Sequence, residues 1–84
     1  MKKNSIGKII SVSDLNIKVL LRSHDVEIKD ILYYEDEKKL THRFEIVEMD
    51  SNVALAIPFE SVYGVKKGID LYLAERRITN RIFW

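Results

Sequence analysis

Between residues 44 and 73 the chain alternates apolar and polar side chains in two runs, separated by the acidic turn Met49-Asp50-Ser51-Asn52. Successive side chains on a strand point to opposite faces, so a period of two gives a strand one apolar face, which a helix cannot obtain from this pattern. The stretch reads FEIVEMDSNVALAIPFESVYGVKKGIDLYL. Pro58 has no amide proton, so the second run must end or become an edge there. Residues 60–65 can form a single helical turn, and Gly64 and Gly68 supply positive φ where the chain reverses. Residues 69–74 then form a last strand with Ile69, Leu71 and Leu73 in phase. In the run over 52–59, Val53, Leu55, Ile57 and Phe59 share one side and Ala54, Ala56 and Pro58 the other. The alanines are expected on the outer face, where their size lets a further strand or subunit approach.

The upstream half continues the pattern. Residues 6–12 predict a strand rich in β-branched side chains, with Gly7 allowing a bulge or a close backbone approach. Ser13-Asp14-Leu15-Asn16 is turn chemistry. Residues 17–22 pair back with Ile17, Val19 and Leu21 on one face and Lys18, Leu20 and Arg22 on the other. A loop over 23–29 leads to a short aromatic strand over 30–35. A charged hairpin tip over 35–39 follows, then a strand over 43–49 with Phe44, Ile46 and Val47 facing in. Six or so short strands at this spacing predict an all-β fold, a small six-stranded antiparallel barrel with at most one helical turn. Closure is preferred to a sandwich because it removes edges that a small sheet cannot protect.

With 84 residues and no cysteine, the chain is one domain held by apolar packing, without disulfides or thiolate zinc. A net charge of +1 predicts no strong pull towards nucleic acid or membrane. No apolar run reaches the ~18 residues of a membrane helix, and the first fifteen residues lack a signal-peptide core. Cytoplasmic residence and no membrane insertion are expected.

Candidate chemistry is sparse. Gly64-Val65-Lys66-Lys67-Gly68 lacks phosphate-loop spacing and a following helix, and reads as a turn. His24 and His42 lie on different segments and read as solvated loop histidines, since metal binding needs three or four converging ligands. Ser23-His24-Asp25 cannot be a triad, because chain neighbours do not converge on one substrate atom. Glu35-Asp36-Glu37, beside Lys38 and Lys39, reads as a solvated turn. The alternative function is that of a standalone small barrel binding a protein partner or single-stranded nucleic acid, the latter raised by Tyr33, Tyr34, Tyr63 and Tyr72 with nearby lysines; packing of these tyrosines in a core or interface competes with it. No catalytic residue, metal ligand or cofactor is expected.

Several segments resemble the small N-terminal barrel of rotary ATP synthases, flagellar and type III secretion ATPases, and HerA-like translocases. Ile6-Gly7-Lys8-Ile9-Ile10-Ser11-Val12-Ser13 is similar to their opening strand. Val26-Glu27-Ile28-Lys29-Asp30-Ile31-Leu32 is similar to their next motif, with Lys29 where a glycine is usual. Phe44-Glu45-Ile46-Val47-Glu48 takes the place of a Gly-x-Val strand, Phe44 replacing the small residue. Ala56-Ile57-Pro58-Phe59 followed by Gly64-Val65-x-x-Gly68 is the nearest part. The resemblance implies a non-catalytic oligomerisation collar: barrels side by side in a ring over hexameric RecA-like ATPase motors, the motor lying in another domain. In HerA-like members the ring also sits where DNA or a nuclease partner engages.

Residues 1–75 are accordingly read as the barrel, and residues 76–84 as a tail or the start of a linker to an absent motor. The apolar Ile82, Phe83 and Trp84 either fold back onto the barrel or mark a cut from something longer. Phe59, Val62 and Tyr63 form the expected subunit interface. The competing reading has Phe59 plugging the barrel end with Val62 beneath it.

Overall fold

A computed structural model describes residues 4–75, and the readings of the tail, including Ile82, Phe83 and Trp84, lie outside the described residues. The described chain is all β, with strands β1 (Gly7–Val12), β2 (Ile17–Leu21), β3 (Ile31–Glu35), β4 (Thr41–Asp50), β5 (Val53–Pro58) and β6 (Asp70–Glu75). They close into an antiparallel barrel in the order β1-β2-β5-β4-β3-β6, with β6 returning to β1. No helix occurs among the described residues; in place of the helical turn allowed over 60–65, the Val65 N–H donates to the Val62 carbonyl, a tight turn with Gly64 at φ 81°.

The core holds Ile9, Ile17, Val19, Leu21, Leu32, Tyr34, Phe44, Ile46 and Leu71 from the strands. Both ends are closed by loop residues. The β2–β3 loop buries Val26 at one end, and the β5–β6 connection buries Val65 at the other. The first loop is pinned to β4. The Lys29 N–H donates to the Ile46 carbonyl and the Ile46 N–H to the Asp30 carbonyl. The buried Asp30 carboxylate accepts the Glu27 N–H at 2.8 Å, which offsets the cost of burying its charge.

Gly7 makes a close approach rather than a bulge. A Cβ there would lie 2.7 Å from Val19 Cγ1 and 2.8 Å from the Leu20 carbonyl oxygen. The β1 bulge comes later, between Ile9 and Ser11.

Two expectations about facing are corrected. Ala54 and Ala56 face inward and are 0% exposed. Ala56 is registered between Ile17 and Ile46, and Ala54 between Val19 and Met49. A six-stranded barrel has a narrow interior, and small side chains must oppose large ones for it to fill without strain. Val53, Leu55 and Ile57 therefore point outward. Val47 does not face in with Phe44 and Ile46: the β4 ladder shifts register between Ile46 and Glu48, Val47 is the extra residue, and Met49 packs on the core instead.

Candidate functional site

The outward face of β2, β5 and β4 carries an ordered pattern. Lys18 pairs with Leu55, and Leu55 with Glu48; Leu20 pairs with Val53, and Val53 with Asp50. Lys8 of β1 continues the second row beside Leu20, and Glu45 lies beside Ile57. Base, apolar stripe and acid thus follow one another round the wall. Ile57 is 45% exposed, Leu20 40% and Ile10 39%. Strands usually show polar groups on a solvent-facing side, whereas β5 turns three aliphatics outward in succession, Val53 and Leu55 half-buried and Ile57 exposed.

Phe59, Val62 and Tyr63 differ in burial, the first and last exposed and Val62 partly buried. Val62 is half-buried and packs on the core, as the plug reading has it. Phe59 is not a plug; it remains half exposed, with the Arg43 guanidinium 5.3 Å from its ring centre and its N–H bonded to the Arg43 carbonyl. The buried plug is Val65. Tyr63 is 89% exposed because the turn closed by Gly64 lifts it away from the barrel.

Tyr63 also walls a groove of about 560 Å³ at this end of the barrel, with Gly64, Lys66 and Ile69 on one side and the β3–β4 tip on the other. His42, expected as a solvated loop residue, sits half-buried in β4 at the foot of this groove. Its ring stacks on Tyr34 at 4.6 Å, nearly parallel, and Tyr34 in turn stacks on Phe44 at 6.3 Å. Nε2 of His42 lies 2.9 Å from Oδ2 of Asp36. The other oxygen of Asp36 accepts the Lys38 N–H at 2.8 Å and the Leu40 N–H at 3.0 Å. These bonds, the His42 bond first, hold the Asp36 carboxyl below the usual carboxylate range. Burial, with a smaller contribution from the Asp36 charge, raises the Tyr34 hydroxyl. The hairpin register explains the pair: Tyr34 is opposite His42, and Asp36 begins the turn. An alternation count extended back to His42 from Phe44 and Ile46 would have put its ring on the inner face.

His24 is exposed on the β2–β3 loop. Among the described residues no three of His, Asp and Glu converge in a way that would hold a metal ion. No described helix is long and apolar enough to cross a membrane. Tyr33 and Tyr72 are neighbours that face outward as a cross-strand pair with centroids 5.9 Å apart, and Arg43 pairs with Tyr33 on the other side.

No family model and no curated protein matches this chain.

Proposed function

We propose that this barrel is a non-catalytic assembly module: a collar, of the kind seen in the ATPases it resembles, that joins copies side by side above hexameric RecA-like motors. The observation that carries this reading is the inverted packing of β5. Its alanines fill the interior, and Val53, Leu55 and Ile57 are turned to the outside, where they serve contact with another body rather than the domain's own core. Two backbone features support the resemblance itself. Lys29 holds φ at 82°, a region that glycine enters freely, at the position where those barrels usually have glycine. Gly64 and Gly68 hold φ at 81° and 91° in the segment where the resemblance is nearest.

Sedimentation velocity on the whole chain tests the reading. Concentration-dependent self-association is expected, and Ile57→Asp should return it to monomer while leaving the thermal transition within about 0.5 kcal/mol, as for a surface change. A wild-type chain that stays monomeric to about 1 mM, the weak end of the affinity scale, would refute self-assembly.

A second reading rests on the Tyr33–Tyr72 pair beside Arg43, which has the composition of a base-stacking platform. It requires binding to single strands tighter than ~100 μM at low salt, with log affinity falling linearly in log salt. Mobility-shift titration is expected to show only weaker, non-specific binding, and a steep salt slope at micromolar affinity would favour this second reading.

A further inference from the structure

We infer that the outer face of β6, β3 and β4 is a docking surface for a basic, proline-rich peptide in the polyproline II conformation. One row of side chains crosses this face. Tyr72 of β6 is in register with Tyr33 of β3, and Tyr33 with Arg43 of β4. Phe59, just beyond β5, continues the row: its N–H bonds to the Arg43 carbonyl, and the Arg43 guanidinium lies 5.3 Å from its ring centre. The two tyrosine rings are 5.9 Å apart and tilted by 42°, which leaves a wedge between them rather than a parallel slot. None of the four side chains is part of the buried core.

The spacing of the row suits one ligand conformation. The Tyr72–Tyr33 step and the Arg43–Phe59 step are centred two strand spacings apart, about 10 Å round the wall. A polyproline II helix has three residues per turn and rises about 3.1 Å per residue, so residues i and i+3 point the same way about 9.3 Å apart. Laid across the strands, such a peptide sets one proline ring in each step. The barrel wall is convex, so a straight peptide touches it over a single turn, and two steps are what it reaches. Its backbone makes no internal hydrogen bonds, and its carbonyls find donors in the Tyr72 hydroxyl and the Arg43 guanidinium. The conformation is already formed in solution, which keeps the ordering cost of binding low.

Charge selects what stands between the prolines. Glu35 lies two residues after Tyr33 on β3 and Asp70 two before Tyr72 on β6, so both carboxylates border the same edge of the row. Asp70 is bridged to Arg22, and Glu35 is exposed. The opposite edge carries Ile31 and Ile57 with Glu45 between them. Three carboxylates against Arg43 and Arg22 leave the face acidic. With prolines at i and i+3 in the two steps, one intervening residue meets the isoleucine edge and the other the Glu35 edge. The fitting sequence therefore repeats proline, an apolar residue or second proline, and lysine or arginine. The same carboxylates repel a phosphate backbone, which disfavours a nucleic-acid strand on this face. The face shares only Ile57 with the outward stripe of β5, so the inference stands apart from the collar reading.

The test is titration of the whole chain with a nonapeptide of three Pro-Pro-Lys repeats, followed by amide chemical shifts. Saturable binding tighter than about 1 mM is expected, with the shifts concentrated at Tyr33, Arg43, Phe59 and Tyr72. Tyr33→Ala should weaken it roughly tenfold. Glu35→Lys, a change at an exposed position, should weaken it roughly fivefold or more and should admit a nonapeptide of three Pro-Pro-Glu repeats, which the wild type binds less well. No shifts at about 1 mM peptide, or shifts confined to another face, overturn the proposal. So does equal binding of three Gly-Ser-Lys repeats, which would show charge acting without the polyproline conformation. A wild-type preference for the Pro-Pro-Glu peptide overturns the basic character of the partner. An oligothymidylate that moves the same amides at lower concentration than the peptide assigns the face to single strands instead. None of these outcomes touches the collar reading, which sedimentation decides.

Discussion

Lys29, like Lys39 and Ser51, has a backbone ill suited to its side chain. At φ 82° it lies in the region that glycine enters freely and that a Cβ penalises by about 1–2 kcal/mol. What holds it there is its N–H bond to the Ile46 carbonyl, followed at once by the Ile46 N–H bond to Asp30; together they fasten the Val26 plug to β4. Lys29→Gly keeps the N–H and removes the Cβ. We expect it to stabilise the domain by about 0.5–1 kcal/mol, the strain relieved being partly offset by the greater freedom of glycine when unfolded. In a domain of this length that is a melting midpoint higher by about 2–8 °C. Lys29→Ala is the control, since it loses the side chain and keeps the strain. If alanine raises the midpoint as much as glycine does, the gain comes from removing the lysine side chain and not from the backbone. The lysine was visible in the sequence as a departure from a glycine. Its conformation was not, because a left-handed lysine leaves no trace in hydropathy.

At the scale of elements, the strand pattern was legible and the choice of inner face was legible only in part. Alternation placed all six strands within a residue or two, and for β2 it also gave the correct face, because Lys18 and Arg22 cannot face a core. For β5 the alternation is between large and small apolar groups, so polarity gives no direction. Volume decides it, through the neighbours Ile17 and Ile46 on either side of Ala56, and those pairings are long-range facts. The acidic tip was legible only in part. Reading Glu35-Asp36-Glu37 as a turn holds for Asp36 and Glu37, while Glu35 ends β3, and composition could not single out Asp36, which organises the turn through Lys38, Leu40 and His42. A prediction follows from its depressed pKa. A carboxylate held below its usual value adds stability that is fully present above the unfolded value, near 3.9, and is lost as pH falls through the lower folded value. The protection of the Lys38 and Leu40 amides, relative to their intrinsic exchange rate at each pH, should therefore fall in acid, below the ordinary carboxylate range, before that of the rest of β3 and β4. In Asp36→Asn the same amides should exchange faster at neutral pH, and their acid-induced step should be gone. Unchanged protection in that variant would mean the tip is held by the sheet rather than by the carboxylate.

For the whole molecule the decisive step is closure, because an open sheet of this size would leave two edges unpaired. Val26 and Val65 cap the ends, but the sides close only where β1 meets β6, at Gly7↔Leu71 and Lys8↔Asp70, a short seam compared with β4 against β5. Ser5 reinforces it from outside the strand, its hydroxyl placed to donate to the carbonyl of Gly7 at 2.8 Å or of Leu71 at 3.1 Å, and the Arg22–Asp70 ion pair at 3.1 Å lies exposed beside it. The exposed pair contributes little in water. Gly7 contributes more, since it stands in register with Leu21 on one side and Leu71 on the other, and any Cβ there runs into Val19 and into the backbone oxygen of Leu20. A side-chain atom can swing aside, whereas a carbonyl in a paired strand can yield only if β1 and β2 separate. Gly7→Ala should therefore destabilise by about 1–3 kcal/mol, the range for overpacking, against the small gain that Gly→Ala gives in an unstrained strand. The loss should be concentrated at the seam: amide protection of Ile6 and Ile9, whose N–H groups donate to the Leu71 and Ile69 carbonyls, should fall further than that of β4 and β5. Uniform loss of protection with the same change in stability would show instead that the barrel opens as one cooperative unit, with no weak seam. An unchanged midpoint would mean that the two strands part at negligible cost, and that Gly7 is not what allows the barrel to close.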